Sequence, residues 1–116
     1  MGYGGTFGGK AFVAKALAQT NDFTLVVPAG MFIDRIFIFN NTANAITGGI
    51  NVGTAAAGAQ VISAKAIGAS VLAMVTEAEL LLRFFSKTAA QTLHVSDVTA
   101  WNSASIDFHV MMTKLY

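Results

Sequence analysis

Between Arg35 and Lys65 the chain carries no Asp, Glu, Lys or Arg, yet the run is not an unbroken greasy segment. Asn40, Asn41, Asn44, Thr47, Gly48, Gly49, Asn51, Gly53, Gly58 and Gln60 interrupt it at short intervals. A lipid-spanning helix needs about 20 consecutive apolar residues, and this run has no such stretch. Short apolar pieces separated by Asn, Thr and Gly are the pattern of buried strands joined by tight turns. The feature therefore predicts a β-domain whose middle strands meet little water.

Charge is scarce elsewhere too. Charged residues make up 11% of the 116 residues, against about 25% for an average soluble domain. A β-domain with so few charges cannot surround itself with a well-solvated ionic surface. Part of its exterior is expected to be covered by other protein. The net charge of +1 offers nothing to neutralise a row of phosphates, which argues against nucleic acid as a partner. With no Cys, disulfides, thiolate nucleophiles and Cys-based metal sites are excluded. No basic region followed by an apolar stretch opens the chain, so the expectation is synthesis and use without export.

The first nine residues, MGYGGTFGG, hold five of the eleven glycines. Tyr3 and Phe7 are the only aromatic side chains in that piece. Ordering such a segment costs much backbone entropy, so an external surface is expected to hold it. We read residues 1–20 as an N-terminal arm, in which 10–19 fits either a short helix or a strand, and 21–116 as one β-sandwich domain. Within the domain, FTLVV (23–27) ends at a Pro28-Ala29-Gly30 turn. MFIDRIFIFN (31–40) follows, its second half apolar on both faces, as in a strand buried on each side. NNTAN and TGG mark a turn region before a short strand at 50–54, and GAQVISAKAI (58–67) is a further strand. Residues 70–87 contain TEAELLLRF, a good helical sequence by propensity, but their alternation and β surroundings favour strands. QTLHVSD (91–97) is another strand. The cleanest period of two runs from Ala104 to Thr113. Seven or eight such strands predict an all-β antiparallel sandwich, jelly-roll-like or alternatively Ig-like, with the Gly-rich arm extending from it.

Chemistry is thin. Ser96 or Ser103, His94 or His109, and Asp97 or Asp107 would make a nucleophilic triad on paper, but no nucleophile-elbow pattern accompanies them. They read better as solvent-face or interface residues. Glu77 and Glu79 lie two apart and face no opposing carboxyl, which glycoside hydrolysis requires. His94 and Asp97 lack a metal-ligand spacing, so no metal and no cofactor is expected. Gly2 with Thr6 formally fits a myristoylation pattern, the glycines offer loose GxGxxG spacing, and Asn40-Asn41-Thr42 is a glycosylation sequon. All three are more simply arm and turn composition. Trp101, in a loop, would either stack on a sugar ring or close the end of the core or a subunit contact; packing is the commoner fate. Tyr3, Phe7, Phe12 and Trp101 are the interface candidates.

Three stretches carry a resemblance: VVPAGMFIDRIFIFNNTANAITGGINVGT (26–54), ISAKAI (62–67) and TLHVSDVTAWNSASIDFHVMMTKLY (92–116). In style and turn placement they resemble small structural proteins of tailed-bacteriophage particles, which occur as head decoration (cement) proteins, head fibres and tail or baseplate components. The resemblance implies a jelly-roll-like or Ig-like sandwich that forms oligomers, with a homotrimer expected, and an arm lying across neighbouring subunits. It implies a non-enzymatic protein made in the host cytoplasm and placed on the capsid surface of the virion, with the major capsid protein as partner. The other reading is a tail, fibre or baseplate component that recognises host-surface glycans through Trp101, Asn102 and Ser103. No nucleic acid and no membrane enters either reading.

Overall fold

The computed structural model describes residues 11–116. Eight strands follow one another: β1 (Ala11–Gln19), β2 (Phe23–Val27), β3 (Met31–Asn40), β4 (Ile46–Gly53), β5 (Ile62–Ile67), β6 (Leu72–Met74), β7 (Gln91–Asp97) and β8 (Ile106–Lys114). They form two four-stranded sheets, ordered β1-β8-β3-β6 and β2-β7-β4-β5. Every pairing is antiparallel. Strand 1 pairs with 8, 2 with 7, 3 with 6 and 4 with 5, as if one long hairpin had been rolled into two layers. That winding is a jelly roll, the first of the two expected sandwich types.

The core lies between the sheets and follows from alternation. Ile33, Ile36 and Ile38 of β3 face inward, as do Ile106, Phe108, Val110 and Met112 of β8. Leu25, Val27, Ile50, Val52, Leu93 and Val95 meet them from the other layer. At about 25 cal/mol per Å² of apolar area removed from water, this layer supplies the main favourable contribution to folding.

The sandwich begins at Ala11 rather than near residue 21. Residues 11–19, which the sequence left open between helix and strand, are an edge strand in register with β8 from Ala11 opposite Thr113 to Gln19 opposite Ile106. A bulge interrupts the ladder between Ala16 and Gln19, with Ala18 in the left-handed region (φ 54°). The freed Ala18 N–H donates to Asp107 Oδ1 at 2.8 Å. Bulged edges resist pairing with foreign strands.

Two further segments depart from the sequence reading. TGG (47–49) is not a turn but part of β4, which is irregular against β5 between Ile46 and Ile50. Gly49 makes the irregularity: its φ is +88°, and a Cβ there would lie 2.7 Å from the Ala64 carbonyl carbon. Residues 70–87 supply only the short β6 and an isolated bridge from Phe84 to Phe32. Within them TEAE forms one tight turn. Thr76 N–H donates to Glu79 Oε1 at 2.9 Å, Glu79 N–H donates back to Thr76 Oγ1 at 3.3 Å, and Leu80 N–H reaches Thr76 O. This is the reciprocal capping arrangement of a helix start, on a turn that no helix continues. Lys65 Nζ, 2.9 Å from Glu79 Oε1, ties the turn to β5.

Asn40 closes β3 with no exposed surface. Its Nδ2 donates to the carbonyls of Asn44 and Gly68, and its Oδ1 accepts from Thr42 N–H and Oγ1. The Asn-Asn-Thr sequence is therefore a turn organiser, with its first side chain fully used inside the fold.

Candidate docking face

Alternation along a strand decides what each sheet shows to the outside. On the β2-β7-β4-β5 sheet the outward rows are largely polar: Thr24 beside His94, Ser96 beside Asn51, Val26 beside Thr92. On the β1-β8-β3-β6 sheet they are not. One outward row is Val13, Met111 and Arg35; the next is Lys15, His109, Phe37 and Met74; a third is Asp107, Phe39 and Leu72. Val13 is 53% exposed, Leu72 62% and Met74 50%, with Phe39 and Met111 also exposed. Val13, Phe37, Leu72, His109 and Met111 line a single shallow depression.

These outward side chains gather exposed apolar groups on one face of the molecule, and such patches mark interaction sites. Charged groups ring it. Asp107 Oδ1 accepts from Ala18 N–H and from Asn41 Nδ2 at 3.0 Å. These donors, the backbone one first, hold its carboxyl below the usual range, with His109 adding a favourable charge. Arg83 pairs with Glu77 at 2.8 Å and lies over the Phe32 ring. Beside the depression, and sharing Phe37 and Met111 with it, runs a groove that also touches Ala11, Phe12 and Arg35. The arrangement offers a shallow, largely apolar seat with charged groups within and beside it.

The residues singled out from the sequence fall in several places. Trp101 is 8% exposed. Its Nε1 donates to Asp22 Oδ1 at 2.7 Å, and its ring centroid lies 6.3 Å from that of Phe23, which meets Phe108 edge-on. It closes one end of the core, so its ring face is not open to a sugar. Asn102 and Ser103 are committed as well: Asn102 Nδ2 donates to Ala45 O, and Ser103 O accepts from Asn44 Nδ2. Phe12 sits on the inner side of β1, opposite Met112, where it packs partly buried against the core and lines the groove just described. Tyr3 and Phe7 lie outside the described residues.

The paper triad does not assemble. His94 lies on the outer face of one sheet and His109 on that of the other, with the core between them. His94 and Ser96 do line one recess of about 140 Å³ with Asp22 and Thr24. Ser96 Oγ is buried there without a hydrogen-bond partner. Asp22, however, is already engaged by Trp101 and by Asp97 N–H. Glu77 and Glu79 are turn groups held by Arg83 and by Lys65 with Thr76. Among the described residues no three His, Asp or Glu side chains are placed to share a metal ion.

Sequence reasoning missed Val13, Leu72, Met74 and Met111. The signal was present in part, because Phe37 and Phe39 mark β3 as apolar on both sides. What covers the second side is not encoded in that strand. In comparisons with known proteins, no family, no curated protein and no solved structure matches this chain.

Proposed function

We propose that this protein is a non-enzymatic structural subunit of a virus particle, a decoration (cement) protein of a tailed phage. In this reading it binds the outer surface of the assembled capsid and stabilises adjoining capsomers through its N-terminal arm and sandwich edges. The observation that carries the reading is the apolar outer face of the β1-β8-β3-β6 sheet, set against the polar outer face of the other sheet. An antiparallel sandwich that works alone in water has polar residues at outward positions on both sheets. One that spends its working life against a larger surface needs them on one sheet only. The low charge and the resemblance of the 26–54 and 92–116 stretches to phage structural proteins support the same reading.

Glycan recognition through Trp101 loses its platform, because that ring is packed inside the fold. Shells assembled without the protein provide the test. The purified chain should co-sediment with them and raise the temperature at which they open. Replacing Leu72 and Met74 together by Asp should weaken binding at least tenfold while leaving the β spectrum of the free chain unchanged. Failure of the unaltered chain to co-sediment would overturn the proposal.

A further inference from the structure

Four strands end the two sheets: β1 and β6 on one, β2 and β5 on the other. An open edge shows unpaired N–H and C=O groups and is a template for a further strand unless the chain blunts it. Three of these edges are blunted. β1 carries a bulge between Ala16 and Gln19 and has Lys15 at its centre. β5 is irregular against β4, holds Ala64 in the left-handed region (φ 50°), and carries Lys65. β6 is only three residues long. β2 has none of these devices. Its five residues, Phe-Thr-Leu-Val-Val, keep unbroken register with β7 from Phe23 opposite Val95 to Val27 opposite Gln91. They include no charge, no glycine and no proline. β7 pairs with one side of β2, and among the described residues no hydrogen bond reaches its other side. Alternate backbone groups of β2 therefore point off the sheet unpaired.

The same five residues are complementary to themselves. Turned about a two-fold axis at Leu25, a second β2 sets Leu25 opposite Leu25, Thr24 opposite Val26 and Phe23 opposite Val27. These are apolar, aromatic and β-branched pairs, the kind that stabilises neighbouring strands, and no like charges meet. A pair of β1 strands would instead set Lys15 against Lys15. Pro28, without an N–H, ends the ladder just beyond Val27. About four to six backbone hydrogen bonds close a ladder of this length.

We infer that two copies of this chain join edge to edge through β2, antiparallel about Leu25, so that their β2-β7-β4-β5 sheets become one continuous sheet. The contact uses the same strand on both copies and closes at two. It differs from the three-fold assembly that the phage resemblance implies, and it needs no residue before Ala11. The two-fold axis stands perpendicular to the joined sheet, as between any antiparallel neighbours. Both copies therefore turn their apolar β1-β8-β3-β6 faces to the same side. A pair built this way meets a shell with two faces at once, which raises avidity without any new contact. That last consequence rests on the decoration reading; the pairing itself does not.

Sedimentation of the full-length chain supplies the test. The unaltered protein should show twice the monomer mass and dissociate on dilution. Thr24 and Val26 are exposed on the outer face, Val26 at 53%, so the fold tolerates changes there. Thr24→Lys with Val26→Lys sets lysine against lysine across the axis and should raise the dissociation constant at least tenfold, with an unchanged β spectrum. Thr24→Glu with Val26→Glu should do the same. Mixed one to one, the two variants should recover the two-copy mass, since opposite charges then face each other. Leu72→Asp with Met74→Asp, on the other sheet, should leave the pair intact. Amide exchange adds an independent readout: the outward N–H groups of β2 should be protected in concentrated protein and exchange freely in dilute protein. A chain that is monomeric at every concentration, or trimeric, would overturn the inference. So would pairing that survives in the lysine variant or is lost in the Leu72/Met74 variant. Protection of β2 that dilution leaves unchanged would mean that the edge is covered within one chain, and would overturn it too. A pair that meets every test yet never binds shells would keep this contact and remove only the decoration reading.

Discussion

Asp107 shows how much a single exposed carboxylate can organise. It fixes the bulge in β1 through Ala18 N–H and tethers the loop after β3 through Asn41. Glu79 does the same for the Thr76 turn, where the Thr76 N–H and then Lys65 lower its pKa. Both carboxyls have folded-state pKa values below their unfolded ones. Each therefore contributes stability that is present above the ordinary carboxylate range and is lost as pH falls through the lowered value. Both groups are largely solvated, so the contribution is modest. Urea midpoints measured between pH 7 and pH 3 should fall on acidification, and the double variant Asp107→Asn with Glu79→Gln should show a flatter profile. An identical slope in the double variant would count against these two groups as the cause.

At the scale of elements, β4 depends on a backbone shape that only one residue type adopts easily. Gly49 combines a positive φ with a close approach to Ala64. Gly49→Ala should cost about 1–3 kcal/mol, read as a lower thermal midpoint, whereas a swap at solvent-facing Thr47 should change little. The same residue explains why this strand escaped sequence reading. A Gly-Gly pair signals a turn and a bulge equally well, and nothing local separates the two. By contrast, β8 was legible because four inward apolar residues alternate with outward ones along its length. The 70–87 stretch was misread for a third reason. Its Thr-x-x-Glu start satisfies local hydrogen bonding within one turn, and Leu80 is then drawn into the core rather than into a continuing strand. For the candidate site, Phe37 and Phe39 announced a covered surface, while Val13 and Leu72 contribute only through cross-strand neighbours far away in sequence.

For the molecule as a whole, the nested pairing sets how the fold must form. The β4·β5 pair joins residues close in sequence, whereas β1·β8 joins Ala11 to Thr113. Closing so long a loop precedes any reward from its contacts, which places such topologies among the slow folders, in milliseconds to seconds. Stopped-flow refolding followed by Trp101 fluorescence should fall in that range, since its burial needs Asp22 and Phe23 from one end of the chain and Phe108 from the other. Microsecond refolding would contradict this account. The pairing of Ala11 with Thr113 also brings the first and last strands of the roll to one pole. A few bridging residues there, with fresh ends cut at the Ala55–Ala57 bend, would give a circular permutant that keeps all six strand pairings.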